Sequence, residues 1–578
     1  MCGIVGVISK ENVVPLLTGA LKKLEYRGYD SCGISLLNDE IKTYKKVGYV
    51  QNLIDDIDLN LSGSCGIGHT RWATHGLCNL ENCHPHISYD NMISLVHNGT
   101  ISNYLELKNF LVEQDKSINF IGDTDSEVVS HLIAYYYRKT KSVYECLKKI
   151  IDLIKGTYAI VFIVKDQKDT LYFLKNFSPL FVSLEKSKTL IASDLYVLPA
   201  NENTYEIKDE TYGIIESNKL SCYSNNGRKI IEKINNSANN FIYEKSGYHT
   251  YMEKELNEVS NIIDNISTYV PYSKIHKKFL HYIKNKRVIF IGCGTSYNAC
   301  LFGSRFIENE SQCYIASAFY EDNVKISKHD VFVVVSQSGE TADVLRAMSK
   351  IRKHKNKIIC ICNNDKSTIA RRSDLRIDMM CQKEISVAST KCYYATITLL
   401  YLLGKKEIPI TKYDAIRSLV NNIRNNTKQL LCIEKWAKEL SNLEIFYLIG
   451  RKEDYDLLKE AALKFQEICY INVITLLGGE LKHGPIALFN QDSTILCLNT
   501  NPDLLNVNIE EIKSRGANVY EISNVNENDE KRLVINVTNT YQKLYFVFLF
   551  HYLALFIAKE KGIDVDRPRN LAKSVTVD

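Results

Sequence analysis

The alternation of apolar and polar residues changes character near residue 225. Before it, short apolar runs typical of β-strands are interleaved with amphipathic stretches typical of helices. Residues 225–245 are rich in Asn and Lys and poor in large apolar side chains, which favours an exposed linker at 225–250. We therefore expect a first domain at 2–224. Its predicted strands and helices include Gly3–Ile8, Ile93–His97, Tyr158–Val164, Thr170–Lys175, Val13–Tyr26 and Ser126–Arg138.

Beyond the linker, one pattern of apolar strands alternating with helices occurs twice. The strands predicted from it are Arg287–Gly292, Val331–Ser336 and Lys357–Asn363, then Glu444–Gly450, Ser493–Asn499 and Val519–Ile522. Strands that are apolar throughout are typical of parallel sheets covered by helices on both faces. The sequence predicts two doubly wound α/β domains, at 275–415 and 430–568, related by internal duplication, and a tail at 569–578. Ligands are expected at the carboxyl ends of the strands.

The composition is that of a globular protein with ample core. The chain has 578 residues, 45% of them hydrophobic, and a formal net charge of +5. Its mean hydropathy is -0.17, and its length favours about three or four domains. The apolar run Leu544–Phe550 is interrupted by His551, so it predicts a buried helix and not a membrane span. Because Lys and Arg are scattered among Asp and Glu, neither nucleic-acid nor membrane binding is expected.

Seventeen cysteines show neither the spacing of a disulfide framework nor a CxxC pair. The N-terminus lacks the basic segment of a secretory signal. Together these features predict reduced thiols and a cytoplasmic protein. His84 and His86, which flank Pro85, could suggest metal ligands, but structural loop histidines are the favoured interpretation. We expect no metal and no other cofactor.

Cys2 differs from the other cysteines by its position. Removal of Met1 would leave Cys2 with both a thiol and a free α-amino group at the start of the first predicted strand. A free α-amine has a pKa of about 7.7–8.0, so it can accept a proton near neutral pH and serve as the base for its own thiol. For Cys2 taken alone, an ordinary buried cysteine is the competing interpretation.

Two loops of the first doubly wound domain have the small residues that suit an anion. Gly292–Ser296 and Ser336–Thr341 each follow a strand and open a helix. Small side chains let backbone N–H groups approach a ligand, and a helix N-terminus favours negative charge. Neither loop is a Walker loop or a dinucleotide fingerprint, and one such turn alone is usually a helix N-cap. Two in one sheet predict a site of monophosphate size, with Ser389–Lys391 as a further source of hydroxyls.

Several motifs appear in the order of one known family. They are Cys2–Gly6, Glu25–Ser31, His69–Gly76, His97–Gly99, Thr124–Asp125, Ser336–Thr341, Glu480–Pro485 and Pro568–Val577. The chain resembles the glutamine–fructose-6-phosphate aminotransferase (isomerising) family over nearly its whole length. The resemblance implies glutamine-dependent amination and isomerisation of D-fructose 6-phosphate to D-glucosamine 6-phosphate, with L-glutamate as the second product.

The resemblance also implies a multidomain fold of α/β and α+β class. An N-terminal-nucleophile hydrolase domain, an αββα sandwich of two antiparallel sheets between helices, would be the glutaminase. Two SIS domains would follow and bind the sugar phosphate. The two doubly wound units are predicted from the apolar pattern as well, whereas the four-layer sandwich comes from the resemblance alone.

By this resemblance, the Cys2 thiol attacks the amide of glutamine. Asn98 and the Gly99 N–H would hold the oxyanion, because preorganised donors stabilise the charge that develops there. Arg71 suits a bidentate grip on the α-carboxylate, and Asp125 suits the α-ammonium group. Trp72 and His75 would lie on a loop that closes over the site, with Trp72 as the gate for ammonia. The glutamine-binding residues that the resemblance implies are Arg71, Trp72, Thr74, His75, His84 and Asp125.

Amination of the sugar needs ring opening, an imine and a proton transfer between adjacent carbons. The resemblance assigns proton transfer to Glu467, ring opening to His483 and a Schiff base to Lys573. In the family the matching histidine comes from a neighbouring subunit, which implies a homodimer or a larger homo-oligomer. The spacing of Lys464 and Glu467 alone predicts only a surface ion pair. The implied sugar-phosphate-binding residues are Thr295, Ser296, Ser336, Gln337, Ser338, Thr341, Val387, Lys464 and Ala572.

Other functions fit part of the pattern. A purine-pathway phosphoribosyl amidotransferase would need paired acidic residues after a strand and a Gly/Thr phosphate loop, and an asparagine synthetase would need an ATP-pyrophosphatase Ser-Gly-Gly loop; we find neither in the sequence. The remaining alternative is a SIS-domain sugar-phosphate sensor or isomerase with an inactive glutaminase domain. The joint presence of Glu467, His483 and Lys573 argues against a sensor.

Overall fold

The computed structural model describes residues 2–58, 60–73, 76–225, 227, 232–236, 244–524 and 529–575. The chain falls into two compact units. The first comprises Met1–Tyr243 together with Ala572–Asp578, and the second comprises Glu244–Leu571. The last residues of the chain therefore group with the N-terminal half.

The first unit contains two antiparallel sheets. The eight-stranded sheet has the order β14-β11-β9-β10-β1-β4-β2-β3 and the six-stranded sheet the order β13-β12-β8-β7-β6-β5. Their strands are β1 Gly3–Ser9, β2 Ser31–Leu37, β3 Ile41–Val47, β4 Cys65–Arg71, β5 His86–Ile87, β6 Ile93–Ile101, β7 Gly156–Val164, β8 Thr170–Asn176, β9 Phe181–Leu184, β10 Lys188–Ala192, β11 Asn201–Glu206, β12 Thr211–Glu216, β13 Lys219–Ser224 and β14 Glu232–Asn236.

Helices cover the outer face of each sheet. Leu17, Leu21 and Leu24 lie on one face of α1 and pack on the eight-stranded sheet. Between the sheets lies a separate apolar layer to which both contribute, with Ile4 from one sheet and Val161 from the other. The helices of this unit are α1 Val14–Leu24, α2 Val50–Asp56, α3 Tyr104–Gln114, α4 Asp125–Thr140 and α5 Val143–Leu153, with 3-10 turns at Glu25–Arg27 and Leu195–Val197. The predicted αββα sandwich is confirmed.

The predicted linker is wrong in one part. Within it, β14 pairs antiparallel with β11 and extends the edge of the eight-stranded sheet. Its residues, Glu-Lys-Ile-Asn-Asn, carry one large apolar side chain, so they gave no strand pattern. Ile234 packs against the core under that sheet, which explains why a polar segment is held there.

The second unit contains two five-stranded sheets in which every pairing is parallel, with the orders β16-β15-β17-β18-β19 and β21-β20-β22-β23-β24. The strands are β15 Arg287–Gly292, β16 Ser311–Ile315, β17 Asp330–Ser336, β18 Lys357–Cys362, β19 Leu375–Asp378, β20 Ile445–Gly450, β21 Asn472–Leu477, β22 Thr494–Asn499, β23 Asn518–Ser523 and β24 Arg532–Val534.

Helices pack around and between these sheets. They are α6 Tyr251–Tyr269, α7 Lys274–Ile283, α8 Gly294–Gly303, α9 Ala316–Glu321, α10 Ala342–Lys353, α11 Thr368–Arg371, α12 Lys391–Leu403, α13 Ile410–Arg424, α14 Thr427–Leu440, α15 Glu453–Lys464, α16 Pro502–Lys513 and α17 Leu544–Glu560, with a π-helical turn at Phe465–Cys469 and 3-10 turns at Val270–Tyr272, Ser304–Phe306, Gly478–His483, Pro485–Leu488 and Thr540–Lys543. The matching strand orders confirm the two doubly wound folds.

The largest hydrophobic cluster of the second unit includes residues of both sheets. The domain boundaries at 275–415 and 430–568 therefore stay predictions. The helical segment Thr540–Glu560 is long and apolar enough to cross a membrane, but 94% of its most apolar window is buried inside the structure. It packs as a core helix, as the interruption by His551 predicted.

Candidate active site

Cys2 lies immediately before the first residue of β1, which is an inner strand of the eight-stranded sheet. The backbone N–H of Trp72, which follows β4, donates a hydrogen bond to its Sγ at 3.3 Å. Burial raises the pKa of the Cys2 thiol, although the Trp72 N–H and the guanidinium groups of Arg71 and Arg27 oppose the rise. The thiol therefore needs a base to become the nucleophile.

Asn98 reaches Cys2 from the other sheet. It lies on β6, is 1% exposed, and donates from Nδ2 to the Cys2 carbonyl oxygen at 3.0 Å. Gly99 follows with φ 134°, and a Cβ there would lie 1.9 Å from the Thr157 carbonyl oxygen. Only glycine fits this position, so the backbone that carries the two predicted oxyanion donors is fixed by sequence.

Arg71 ends β4 and is buried, with its guanidinium turned to the loop that follows. It donates to the carbonyl oxygens of Leu77 at 3.3 Å and Gly76 at 3.4 Å. The same loop is held at its start by Asp30, whose Oδ2 accepts from the Ala73 N–H at 2.8 Å. Thr74 and His75 lie outside the described residues. Their predicted role in glutamine binding, and that of Trp72 as a gate, stay predictions.

Asp125 is the first residue of α4 and is buried. Its Oδ2 accepts from the Ile101 N–H at 2.8 Å, and its Oδ1 accepts from the Ser126 hydroxyl at 3.1 Å. Ile101 lies on β6 three residues after Asn98, so one strand positions both predicted site residues. These bonds fix the carboxylate, as a group that binds an ammonium ion requires.

His84 is buried behind this region. Its ring stacks on His69 at 4.0 Å between centroids and meets His86 edge-on at 4.6 Å. Burial lowers the pKa of all three histidines, so they are neutral. Among the described residues no group of three or more His, Cys, Asp or Glu side chains has the arrangement of a metal site. The role of His84 in glutamine binding stays a prediction.

In the second unit, the two predicted anion loops lie at the carboxyl ends of adjacent strands. Ser336 ends β17, and its hydroxyl lies 2.9 Å from that of Thr341 and accepts from the Gly339 N–H at 3.1 Å. Ser338 accepts from the Glu340 N–H at 3.2 Å. Thr295 and Ser296 open α8 after the neighbouring strand β15. Gln337 lies in the loop after β17. Val387 lies between β19 and α12, is 9% exposed, and donates from its N–H to the Asp566 carbonyl oxygen at 3.3 Å.

A buried ionic cluster joins the first of these loops to the second sheet. Lys464 donates from Nζ to the Thr295 hydroxyl at 2.8 Å and to Glu467 Oε2 at 2.6 Å. Glu460 accepts from Thr295 at 3.1 Å and lies 3.3 Å from Lys464. Burial opposes a charge on Lys464, but the carboxylates of Glu460 and Glu467 outweigh it and raise its pKa.

The surface ion pair expected from the spacing of Lys464 and Glu467 is therefore wrong. The Lys464 side chain is fully buried, while 22% of the Glu467 side chain is exposed. Glu467 lies in the π-helical turn that continues α15, so the helix widens just where its carboxylate meets the lysine. The pair combines a hidden cation with an accessible carboxylate.

His483 and Lys573 lie on parts of the chain other than α15 and its π-helical turn. His483 is exposed at the end of the 3-10 turn after β21. Lys573 and Ala572 belong to the other compact unit. The start of the tail stays with the second unit, because the Arg569 guanidinium stacks on the Tyr470 ring at 4.2 Å.

Sequence reasoning missed three residues of the site. Asp30 and His69 lie within quoted motifs, but the motifs alone do not show what they contact. Glu460 lies four residues before Lys464 on a predicted helix, and that i, i+4 spacing was the available signal. Its full burial is visible only in the structure.

Comparisons with known proteins agree with this geometry. The family profile described as "Glutamine amidotransferase domain" matches residues 70–200, and that described as "SIS domain" matches residues 281–406. A protein of Caldanaerobacter subterraneus subsp. tengcongensis, named glutamine--fructose-6-phosphate aminotransferase [isomerizing], is 36% identical over 614 residues that cover 100% of both chains. A protein of the same name from Clostridium acetobutylicum is 34% identical over 617 residues, again with 100% of both chains covered.

One solved structure matches the second half of the chain. It is the C-terminal domain of glucosamine-fructose-6-phosphate aminotransferase from Francisella tularensis, with 28% identity and a TM-score of 0.52. The match covers 56% of this chain and 100% of that one.

Proposed function

The chain belongs to the family of glutamine–fructose-6-phosphate aminotransferases (isomerising), and we propose that its reaction is divided between Cys2 in the first unit and the SIS loops of the second. Its function is the glutamine-dependent isomerisation and amination of fructose 6-phosphate, the first step of hexosamine biosynthesis. A sensor or an isomerase with an inactive glutaminase is not favoured, because relatives with the aminotransferase name extend over the whole chain.

The first half-reaction releases ammonia from glutamine. With Met1 removed, the α-amine of Cys2 takes the thiol proton, and Sγ attacks the amide carbon of glutamine. The amine returns the proton to the leaving nitrogen as the carbon–nitrogen bond breaks, and water then hydrolyses the γ-glutamyl thioester to glutamate. The observation that carries this assignment is the 3.0 Å contact between Asn98 Nδ2 and the Cys2 carbonyl oxygen, which puts the amide donor beside the nucleophile. Gly99 N–H is the second donor.

The other glutamine contacts follow from charge. Arg71 would pair with the α-carboxylate and exchange its carbonyl partners for the ligand, while Asp125 would pair with the α-ammonium group. Trp72, Thr74, His75 and His84 are proposed to complete the pocket. The hydrogen bond from the Trp72 N–H to Sγ supports a loop whose position depends on whether Cys2 is free or acylated.

The second half-reaction aminates the sugar. The hydroxyl loops Thr295–Ser296 and Ser336–Thr341 would bind the phosphate and the sugar hydroxyls, with Val387 and Ala572 lining the pocket. Glu467 would move the proton between the adjacent carbons, because its accessible carboxylate is held in place by the buried Lys464 ammonium. Lys573 would form the Schiff base with the open-chain ketose, and ammonia from Cys2 would displace it.

His483 is proposed to open the sugar ring from a neighbouring subunit, so the active enzyme would be a homodimer or a larger homo-oligomer. Its exposure in the single chain supports this proposal. A cytoplasmic location is proposed as well. All seventeen cysteines are free in the structure, which suits a reducing compartment.

The test of this division is Cys2→Ala in the full chain. We expect glutamine-dependent formation of glucosamine 6-phosphate to be lost, because no nucleophile remains, while isomerisation of fructose 6-phosphate continues at the SIS site. Cys78→Ala removes an exposed cysteine of the same unit and should leave both activities intact. Loss of both activities in the Cys2 variant would contradict two separate sites.

A further inference from the structure

His69 lies behind the predicted oxyanion donor. It is fully buried on β4 of the eight-stranded sheet, and its Nε2 lies 3.1 Å from the His97 carbonyl oxygen and 3.1 Å from Asn98 Oδ1. We propose that His69 is a positioning residue for glutamine hydrolysis, which fixes the side-chain amide of Asn98 with its NH₂ group toward Cys2. The proposal rests on the function proposed above for Asn98.

The contacts of the ring define its tautomer. Both neighbours of Nε2 are oxygen atoms that can only accept, so Nε2 carries the proton. The other nitrogen, Nδ1, is buried without a hydrogen-bond partner among the described residues. A proton on Nδ1 would be left unsatisfied, and this favours the same tautomer.

The tautomer in turn decides which way Asn98 points. With the Nε2–H of His69 donating to Oδ1, the Nδ2 group must face the opposite side, where it donates to the Cys2 carbonyl oxygen at 3.0 Å. If the Asn98 amide were flipped, its NH₂ group would face the Nε2–H of His69, and its Oδ1 would face the Cys2 carbonyl oxygen. Neither contact is a hydrogen bond. Both ends of the amide therefore favour one orientation, His69 through its side chain and Cys2 through its backbone carbonyl oxygen.

The His69 ring is itself held from behind. His84 stacks on it at 4.0 Å, and His86 packs edge-on against His84 at 4.6 Å. At the far end, His86 Nε2 lies 3.1 Å from the hydroxyl of Thr124, the N-cap of α4. This column of imidazoles ties the orientation of Asn98 to the helix that begins with Asp125. The burial that lowers the pKa of His69 to about 3 keeps the ring neutral, as a stacked apolar support requires.

The consequence is a loss of rate rather than of substrate binding. Removing an oxyanion donor outright lowers kcat by about 10²–10³-fold. Without His69 the Asn98 donor is present but held at one end only, so we expect a smaller loss of about 10- to 100-fold in kcat, with the KM for glutamine changed less than about threefold.

The experiment compares His69→Met with His69→Gln in the full chain. The two replacements have nearly the same length and shape, but only glutamine has an N–H that can reach both oxygens. We expect His69→Met to lose kcat for glutamine hydrolysis and His69→Gln to recover most of it. His131→Met is the matched control, because His131 is an equally buried histidine of the same unit whose ring bonds the Asn119 carbonyl oxygen. Thermal unfolding followed by circular dichroism checks that each variant is folded, and isomerisation of fructose 6-phosphate without glutamine checks that the second unit is unaffected.

A double variant, His69→Met with Asn98→Ala, separates the positioning role of His69 from the proposed role of Asn98 as an oxyanion donor. If His69 acts through Asn98, the double variant is no slower than Asn98→Ala alone. The positioning role would be overturned if the kcat losses of the two single variants multiplied in the double variant. It would also be overturned if His69→Met and His69→Gln lost the same amount of kcat. A normal kcat in Asn98→Ala would overturn the donor role of Asn98 itself, and a normal kcat in His69→Met beside a slow Asn98→Ala would overturn the His69 proposal alone.

Discussion

The two parallel sheets of the second unit share a strand order but differ at their carboxyl ends. After β17, the loop Ser336–Thr341 presents hydroxyls and backbone N–H groups around Gly339. After β22, which holds the same place in its sheet, the Thr500 N–H and hydroxyl both donate to Asp454, at 3.0 and 2.7 Å. Lys543 donates to Asp454 at 3.0 Å and to Glu453 at 2.6 Å.

The difference shows how one fold can keep or close a binding site. The first sheet offers donors to an external anion, whereas the second has a carboxylate of its own at the corresponding end and a lysine that neutralises it. The strand order determines where the loops lie. Their side chains determine whether the donors at that end of the sheet are available to a ligand or are already bonded within the protein. If the two sheets arose by duplication, as the sequence predicts, one would bind the sugar phosphate as proposed above, while the other is stabilised by its own ion pairs.

The strongest test removes the cation of the second sheet. Lys543→Met leaves the fully buried Asp454 without its partner, and breaking such a pair costs about 3–5 kcal/mol. We expect the free energy of unfolding to fall by that amount while the KM for fructose 6-phosphate is unchanged. In a Trp72→Phe background, Trp436 is the remaining tryptophan, so its fluorescence during urea unfolding reports on this unit.

Lys459→Met is the control for that variant. Lys459 pairs with Asp456 at 3.4 Å, and its side chain is 33% exposed. Such a pair contributes about 1 kcal/mol or less. A small loss of stability in Lys543→Met together with a raised KM would mean that the second sheet also binds ligand.

A smaller effect is expected from Gly339→Ala in the first sheet. Gly339 has φ 68°, and a Cβ there would lie 1.9 Å from Ser367 Oγ and 2.4 Å from Ser367 Cβ. Ser367 caps α11, so it cannot move without loss of that cap. We expect the loop to shift and the KM for fructose 6-phosphate to rise about 10-fold or more, as for a loss of about 1.4 kcal/mol or more. Steady-state kinetics of amination measures it, and glutamine hydrolysis should be unaffected.

Gly562→Ala is the control that separates the steric contact with Ser367 from the backbone strain of a positive φ. Gly562 has nearly the same φ, 67°, but nothing lies within 4 Å of its Cβ position. This variant should lose about 1–2 kcal/mol of stability with an unchanged KM. An equal KM for both alanine variants and the unaltered chain would remove Gly339 from the site.

The smallest expected change in the KM for fructose 6-phosphate comes from one of a matched pair of hydroxyl deletions. Thr341→Val removes a donor from the first sheet and should raise the KM for fructose 6-phosphate about 3- to 10-fold, since one hydrogen bond contributes about 0.5–1.5 kcal/mol. Thr500→Val takes a hydrogen bond from buried Asp454 and should lower stability by about 1.5–3 kcal/mol. Kinetics and urea unfolding of both variants give four values. If both variants change only the KM, or both change only the free energy of unfolding, then the two sheets do not divide into one that binds ligand and one stabilised by ion pairs.

The sequence predicted the helices that bury one face and the strands that are buried on both faces. The apolar runs of β15, β17 and β18 and their counterparts were found because each is buried on both faces. Ser311–Ile315 was missed because it is a partly exposed edge strand that begins with two polar residues and has no continuous apolar run. β14 was missed because it is also an edge strand and has a single large apolar residue.

The site was predictable where a residue type alone carries the chemistry. Cys2, Asn98 and Asp125 were identified by motif. Cys2 lies just before β1, Asn98 lies on β6, and Asp125 is the first residue of α4. His69 was not, because its role depends on the register that sets it opposite Ile4 on β1 and on contact with β6 from the other sheet. Such long-range pairings leave no local pattern in the sequence.

The grouping of Ala572–Asp578 with Met1–Tyr243 has a consequence for the order in which the protein assembles on the ribosome. The N-terminal unit begins to fold once its first segment has emerged, but its last segment is made only after the whole of Glu244–Leu571. At about 5–20 residues per second, that delay is roughly 16 to 66 s. Throughout that interval the N-terminal unit has to fold, or stay partly folded, without the segment that begins at Ala572.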